Sequence, residues 1–353
     1  MAWTVCAHSR REIDDAGQAI ISLPRNSPAR NAALDIVNNW RSCHGFPLQS
    51  IRYTLAARAT QKIGPHAVVV QRIKRLRSIQ IELEQQTTMR LSQMQDLGGC
   101  RAIVNVVDEV DTLVAIYDKA AARNRRGSPK LLRKTDYIMN PKPDRYRGVH
   151  LIMGYQSAAK PEYNGQKIEI QIRSRLQHAW ATAVETYEVF TVQALKTKIK
   201  SVSADVSRFF ALVSNSFAIT EKRNPVPDTP TDMTELRAQL IDIDNVHKLI
   251  TKLRGFRTTM DKLKVMDPHA FLFLLELDAS QLPAQFRIST FTKFEIAEAQ
   301  DAYAKREKET EGSPQIQVVL VSAKSVEALK LAYPNYYVDT ETFITHARMA
   351  MVK

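Results

Sequence analysis

Cysteine is scarce in this sequence of 353 residues, and long apolar runs are missing. The three cysteines, Cys6, Cys43 and Cys100, form an odd and scattered set. This spacing excludes a disulfide framework and a zinc finger, and it fits a reducing compartment. No stretch approaches the roughly 18 apolar residues of a membrane span, and the sequence begins without the apolar run of a signal peptide. We therefore expect a cytoplasmic protein with no membrane partner.

Internal repeats and low-complexity tracts are also absent, and so is a phosphate-binding loop of the form GxxxxGK[ST]. The last absence excludes an ordinary P-loop ATPase. Positive charge, in contrast, is abundant: 50 Lys and Arg face 37 Asp and Glu, for a formal net charge of +13. This surplus favours a polyanionic partner, such as nucleic acid or nucleotide phosphates, although it can also serve solubility alone.

The order of predicted helices and strands indicates an α+β protein. Helical spacing begins at Ser27, and strands and helices then alternate up to a proline-rich polar stretch at 224–230. Beyond it the pattern predicts a second, small α+β region. We place the domains at 1–222 and 223–353.

The segment Lys167–Arg173 alternates strictly between isoleucines and charged or amide side chains. This pattern predicts a strand with one face on the core and a row that includes Glu169 on the other. A solvated edge strand would give the same alternation.

A basic stretch holds four cations within six residues, at Arg72, Lys74, Arg75 and Arg77. Arginine suits a phosphate and base clamp, because its planar guanidinium grips phosphate in two places and stacks on rings. A basic solvated turn is the alternative. Ser78 is the predicted N-cap of the helix that follows.

Asp96, Gly98, Gly99 and Arg101 lie at the mouth of a predicted buried strand. Two glycines let the backbone approach a ligand closely. A carboxylate beside an arginine is suited to hold Mg²⁺ next to a phosphate. A simple Asp-Gly turn is the alternative interpretation.

Tyr146 stands between Arg145 and Arg147 after a loop stiffened by two prolines. A tyrosine presented in this way can stack on a base while the arginines hold phosphates; a tyrosine that caps an apolar edge is the alternative. Further on, His178 and Glu185 fall on one face of a predicted helix. For His178 we favour a structural role over that of a base.

From Gln71 to Glu188, the order and spacing of these motifs resemble the synthetase domain of the RelA/SpoT alarmone family. The matching motifs are Arg72-Ile73-Lys74, Asp96-Leu97-Gly98-Gly99-Cys100-Arg101, Tyr146-Arg147-Gly148-Val149-His150, Glu169-Ile170-Gln171-Ile172-Arg173 and Trp180-Ala181-Thr182 to Glu185. The resemblance implies a nucleotidyltransferase-like mixed sheet flanked by helices. It also implies transfer of pyrophosphate from ATP to a ribose hydroxyl, leaving AMP. The His-Asp hydrolase domain of long family members does not precede the motifs.

The resemblance also implies the role of each site residue. Asp96 would hold Mg²⁺, and Glu169 would complete the metal site or act as a base on the acceptor hydroxyl. The other expected contacts are to ATP, through Arg72, Lys74, Arg77 and Arg101, and to the acceptor, through Tyr146, Arg147 and His150. Among the ATP contacts, Arg72 and Arg101 would stack on the two sides of adenine, and Lys74 would bind the phosphates. Among the acceptor contacts, Tyr146 would stack on the acceptor's base.

Near the C-terminus, Tyr333 and Tyr336 occupy a short loop that contains Pro334. Their Tyr-x-x-Tyr spacing resembles the neutralising segment of CapRel-type fused toxin–antitoxin proteins, which defend cells against phage. That resemblance implies a C-terminal regulatory domain that plugs the nucleotide site until a phage protein, such as a capsid protein, binds it. Toxic relatives pyrophosphorylate the 3′ CCA end of tRNA and so block translation. Tyrosines that pack on their own domain are the alternative.

We therefore predict an autoinhibited, ATP-dependent pyrophosphokinase that acts on the tRNA acceptor end. A small alarmone synthetase that makes (p)ppGpp from GDP or GTP is the first alternative. A catalytically dead nucleic-acid-binding module is the second, and the presence of both Asp96 and Glu169 weighs against it.

Overall fold

The computed structural model describes residues 3–123, 127–191, 202–255, 258–260, 270–280, 284–313, 315–322 and 340–352. Within these ranges the chain forms eleven α-helices and nine β-strands. None of these helices combines the length and the apolar character that a membrane crossing requires.

The strands are β1 (Val68–Ile73), β2 (Gly98–Val104), β3 (Lys130–Asp136), β4 (Val149–Gly154), β5 (Lys167–Ser174), β6 (Thr258–Met260), β7 (Ala270–Asp278), β8 (Ala284–Thr292) and β9 (Ile316–Ser322). The helices are α1 (Arg10–Ser22), α2 (Pro28–Cys43), α3 (Gly45–Lys62), α4 (Leu76–Gln85), α5 (Val107–Arg123), α6 (Arg175–Thr191), α7 (Val202–Thr220), α8 (Met233–His247), α9 (Leu249–Gly255), α10 (Ile296–Glu309) and α11 (Glu341–Val352).

The nine strands form one mixed sheet in the order β3-β4-β5-β2-β1-β9-β7-β8-β6. Strand β2 runs parallel to β5, and β6 runs parallel to β8, whereas the other neighbours are antiparallel. The fold is α+β, with a mixed sheet flanked by helices, as predicted.

The alternation in β5 has the predicted result. Ile168, Ile170 and Ile172 are fully buried in a core that also contains Leu48 and Leu55 of α3. Since successive side chains of a strand point to opposite faces, Glu169 and its polar neighbours lie on the other face of the sheet.

Helix α1 was not predicted from the sequence, although the sequence contains a signal for it. The Ser9 hydroxyl accepts a hydrogen bond from the Glu12 amide, and the Glu12 carboxylate accepts one from the Ser9 amide. This capping box starts a helix whose Ile13 and Ile20 are buried with side chains of α2 and α4.

The polar stretch 224–230 is packed against the helices that it connects. Val226 is 1% exposed, and its amide donates to the Asn215 side chain of α7 over 2.9 Å. Helices on both sides of the stretch share one apolar core, which contains Trp180, Phe210, Phe217, Leu236, Leu249 and Phe343. The division at residues 222 and 223 stays a prediction, and this core spans it.

The strands predicted after residue 270 are present, but they extend the sheet of the preceding half instead of forming their own. Strand β9 pairs with β1 through Gln71–Ser322 and Arg72–Val321. Helix α10 covers β7 and β9, with Ala299 and Tyr303 buried among their side chains. The C-terminal part of the chain therefore lies directly beside the basic motif of β1.

Candidate active site

Three neighbouring strands bring the predicted site residues onto one face of the sheet. Gly99 of β2 pairs with Arg72 of β1 on one side and with Glu169 of β5 on the other. Arg101, two residues after Gly99, lies on the same face. These strands and the loop before β2 form a pocket lined by Arg72, Asp96, Gly99, Cys100, Arg101, Glu169 and Gln171.

Lys74 is anchored beside this pocket, and it is 8% exposed. Its Nζ lies 2.5 Å from Asp96 Oδ2 and 2.5 Å from Glu82 Oε2. Its amide donates to the Leu97 carbonyl over 2.8 Å. The structure thus brings together the predicted phosphate-binding lysine and the predicted metal ligand.

On the side of the pocket that was predicted to bind the acceptor, five side chains form a closed ring of hydrogen bonds. Arg173 Nε donates to the Tyr146 hydroxyl (2.7 Å), which lies 2.8 Å from His150 Nε2. His150 Nδ1 lies 2.8 Å from Glu169 Oε1, and Gln171 Nε2 donates to Glu169 Oε2 over 2.7 Å. Arg173 Nη2 donates to Gln171 Oε1 over 2.6 Å and closes the ring.

The protonation of this ring follows from its burial and its bonds. Burial lowers the pKa of His150 despite the hydrogen bond to Glu169, so the imidazole is neutral at pH 7. Burial raises the pKa of Glu169. The hydrogen bond from His150, the charge of His150 when it is protonated, the hydrogen bond from Gln171 and the charge of Arg72 outweigh burial and bring that pKa to about 2. Neutral His150 then donates Nδ1–H to the Glu169 carboxylate and accepts the Tyr146 hydroxyl proton at Nε2.

A pH dependence of stability follows from Glu169. Its folded pKa of about 2 lies below the unfolded value, so its contribution is present above about pH 4.5 and is lost as pH falls toward 2. Between pH 5 and pH 3 we expect the wild type to lose about 2 kcal/mol more unfolding free energy than Glu169→Gln. Urea unfolding at both pH values measures this difference. Equal losses in the two proteins would contradict the low pKa.

Tyr146 differs from its predicted position, because it is buried and not presented on the surface. It is 8% exposed, with Arg173 4.6 Å and Lys142 5.0 Å from its ring centre. Gly148, at a φ of +154°, permits this: a Cβ there would lie 2.7 Å from the Tyr146 hydroxyl. The proposed stacking surface is covered by the two cations in this state of the protein.

Arg147 is also buried, and its predicted contact with an acceptor stays a prediction. Its side chain is 2% exposed and lies 3.0 Å from Glu221 at the end of α7. The same carboxylate accepts hydrogen bonds from Ser174 and Gln177. Arg147 therefore joins α7 to the sheet, and this buried pair does not favour the predicted contact with an acceptor.

The prediction that Ser78 caps α4 is wrong. The helix begins three residues earlier than predicted, at Leu76, and its N-cap residue Arg75 makes no side-chain cap. The Leu76 amide instead donates to Glu307 Oε1 of α10 over 2.8 Å. Arg77, predicted to contact ATP, is exposed in the first turn of α4.

Glu185, for which the resemblance implied no role, lies within the electrostatic influence of the arginines of the site. Burial raises its pKa, but the charges of Arg101, Arg75 and Arg72 outweigh this and lower it. Glu185 is thus a carboxylate held beside the pocket. The sequence indicates this position through the helical spacing of Glu185 and His178, which puts Glu185 on the same face of α6 as the buried His178.

Two predicted residues fall outside the described ranges. They are Tyr333 and Tyr336 of the predicted C-terminal loop. Within the described ranges, no three or more His, Cys, Asp or Glu side chains form a metal-binding group. Asp96 and Glu169 line the pocket as a pair.

The carboxylates and arginines of this pocket, and the lysine beside it, all come from one segment of the chain. Residues 71–188 match the family model described as "Region found in RelA / SpoT proteins". These bounds agree with those of the predicted resemblance. The RelA/SpoT region, as we call residues 71–188, contains every residue of the pocket and of the hydrogen-bonded ring.

Three individual proteins that resemble this chain share 28% or less of its residues over the aligned parts. GTP pyrophosphokinase YwaC from Bacillus subtilis is 28% identical over 97 residues, which are 27% of this chain and 43% of that protein. The match thus spans less than half of the relative's length. Small alarmone synthetase 1 from Bacillus subtilis, bound to its product pppGpp, aligns with 56% of this chain and 95% of its own at 19% identity and a TM-score of 0.41. A GTP pyrophosphokinase family protein from Streptococcus pneumoniae aligns with 52% of this chain and 88% of its own at 20% identity and a TM-score of 0.41.

Proposed function

We propose that the chain is a pyrophosphokinase that transfers pyrophosphate from ATP to a ribose hydroxyl of a nucleotide, leaving AMP. The observation that carries this proposal is the joint placement of Arg72, Arg101, Asp96 and Glu169 around one pocket inside the RelA/SpoT region. Such a transfer requires mainly positioning of the reactants and neutralisation of phosphate charge, which this set of groups supplies.

The donor side of the proposed site is formed by β1, β2 and α4. Arg72 and Arg101 are on one face of adjacent strands, where their guanidinium planes can stack on an adenine between them. Lys74 and the exposed Arg77 would meet the phosphates. For Lys74 this requires that ATP exchange with Asp96 or Glu82 as the partner of Nζ.

The residues present fit a magnesium ion. Mg²⁺ is commonly held by one or two carboxylates, with phosphate oxygens and waters as its other ligands. Asp96 and Glu169 line the same pocket and can supply such a pair. Bound there, Mg²⁺ would neutralise charge on the phosphates of ATP.

The low pKa of Glu169 bears on its proposed role. A carboxylate with a pKa of about 2 is a weak base at neutral pH. Both of its oxygens already accept hydrogen bonds, from His150 and Gln171. These bonds favour a Glu169 that orients the acceptor hydroxyl or the metal over one that removes a proton.

We propose a guanosine nucleotide, GDP or GTP, as the acceptor, because a curated relative is a GTP pyrophosphokinase. The 3′ CCA end of tRNA is the second candidate, supported by the net charge of +13. One assay separates them: ATP labelled at the γ-phosphate is incubated with the protein and with GDP, GTP or tRNA. Label on GDP or GTP supports the first acceptor, and label on tRNA alone supports the second. Binding of nucleic acid without label on any acceptor would indicate the inactive module.

We further propose that the loop containing Tyr333 and Tyr336 inhibits the enzyme, and that a phage protein such as a capsid protein relieves it. The position of β9 supports this. Its last residue, Ser322, pairs with Gln71, which adjoins Arg72. The chain therefore leaves the sheet beside the proposed adenine site. If the chain from Ser322 to Tyr333 were fully extended, it would span roughly 36 Å at most.

Tyr333→Ala and Tyr336→Ala are expected to make expression toxic without any trigger. A closed state favoured by about 3 kcal/mol leaves under about 1% of molecules competent, so the loss of one ring raises activity many-fold. Growth after induction is the measurement, and the double variants with Glu169→Gln are the control that should restore it. Normal growth of cells that contain stable tyrosine variants would exclude this loop as the inhibitor.

A further inference from the structure

A buried ionic junction connects α10 to the turn between β1 and α4. We define the α10 junction as Arg41, the backbone of residues 74–76, and Glu307. Arg41 and Glu307 are 3% and 8% exposed, and Arg41 Nη1 lies 2.8 Å from Glu307 Oε2. Two hydrogen bonds run from Arg41 to the Lys74 carbonyl, from Nε (3.1 Å) and Nη2 (2.8 Å).

Glu307 contacts this turn in two ways. One oxygen accepts the first amide of α4, at Leu76, over 2.8 Å, and the other holds Arg41. The positive end of the α4 dipole and the arginine thus share one carboxylate. Without Glu307, the buried Arg41 guanidinium would keep its hydrogen bonds to Asn38 and to the Lys74 carbonyl but would lose its paired carboxylate, which is costly for a buried charge.

The turn fixed in this way carries the side chain that the pocket needs. The Lys74 carbonyl is held by Arg41 and its amide by Leu97, so both backbone polar groups of the residue are fixed. Its side chain reaches Asp96, whose neighbour in sequence is Leu97. A shift of the turn would therefore displace Nζ relative to the Asp96 carboxylate.

We propose that Glu307 is a positioning residue for ATP binding, and that docking of α10 and occupation of the ATP site stabilise each other. The proposal rests on the proposed function of the pocket. The described C-terminal part of the chain is then a structural component of the nucleotide site. Because coupling between two sites is reciprocal, ATP must tighten the docking of α10 by the factor by which docking tightens ATP.

Glu311, one turn after Glu307, offers a matched control at the same interface. It pairs with Arg30 of α2 and accepts from Gln80 of α4, but it makes none of the contacts to residues 74–76. Glu307→Gln and Glu311→Gln each remove one carboxylate charge from the contact between the α10 region and the N-terminal helices. Only Glu307→Gln removes it from the α10 junction.

The test measures binding of a non-hydrolysable fluorescent ATP analogue, together with kcat and KM. Glu307→Gln is expected to weaken binding and to raise KM for ATP by about tenfold, with kcat changed by less than about threefold. Both variants are expected to lower Tm by similar amounts. Glu311→Gln, however, is expected to leave ATP affinity within about twofold of wild type. Equal affinities in the two variants would overturn the positioning role.

Hydrogen exchange provides a readout that needs no catalysis. In the nucleotide-free protein, amides of the turn at 74–77 should exchange about tenfold faster in Glu307→Gln and at the wild-type rate in Glu311→Gln. In the wild type, binding of the ATP analogue should slow hydrogen exchange of the α10 amides. This measurement does not depend on whether Glu307→Gln folds. Unchanged exchange in both experiments would overturn the proposal. A wild type that binds no ATP would overturn the proposed function, and the nucleotide-free comparison would still decide whether Glu307 fixes the turn.

Discussion

Asp96→Asn and Glu169→Gln are each expected to lower pyrophosphate transfer by on the order of 10³-fold, because a metal or acceptor contact is worth several kcal/mol in the transition state. Each variant keeps the size of the side chain and removes its charge from the pocket lined by both residues. Label transfer from γ-labelled ATP to the best acceptor measures the loss.

Asp118→Asn is the matched control for this loss. Asp118 also pairs with a lysine, Lys134 at 2.7 Å, but it is half-exposed on α5 and outside the pocket. Its activity should remain within about twofold of wild type, since exposed ion pairs contribute little. Near-normal turnover of Asp96→Asn or Glu169→Gln, with an unchanged melting temperature, would mean that the chemistry takes place elsewhere.

Phe343→Ala is expected to lower the free energy of unfolding by about 3–5 kcal/mol. The ring is fully buried in α11, with centroids 5.6 Å from Phe210 and 6.1 Å from Phe217 of α7. Its removal leaves a cavity in the core that α11 shares with α6, α7, α8 and α9. Urea unfolding of the full chain measures the change.

Met349→Ala, on the same helix but 45% exposed, should change this free energy by less than about 0.5 kcal/mol. A small effect of Phe343→Ala would mean that α11 contributes little to the core. The expected large effect bears on the design of experiments: truncation after Leu331 removes α11 together with the tyrosine loop. The single tyrosine substitutions are therefore the cleaner test of inhibition.

Patterns local in sequence predicted the strands and helices well. Alternation identified β5, and spacings of three and four identified α2 and α3. The site motifs were recognised from their order and spacing, and the direct pairing of β2 with β5 then brings Asp96, Arg101 and Glu169 together. The Ser9–Glu12 capping box is also a pattern local in sequence, and it predicts the start of α1.

Contacts between distant segments explain what the sequence did not reveal. Glu307, 231 residues further along the chain, accepts the hydrogen bond from the first amide of α4. The helix can therefore begin before Ser78 without a local side-chain cap, which the sequence near Ser78 does not indicate. The pairing of β9 with β1 rests on backbone hydrogen bonds, which leave no mark in either strand's composition. Tyr146 followed a proline-rich loop and looked exposed, but its hydroxyl completes a ring with side chains of β4 and β5.

The position of β9 in the sheet also sets an order of events on the ribosome. Strand β1 is translated early, whereas its neighbour β9 ends at Ser322, about 250 residues later. At typical synthesis rates of about 5–20 residues per second, the backbone edge of β1 at Gln71 and Arg72 waits on the order of tens of seconds for its partner. An unpaired edge of this kind can recruit strands from other nascent chains. The basic motif of the pocket can reach its final form only after β9, which ends at Ser322, has emerged.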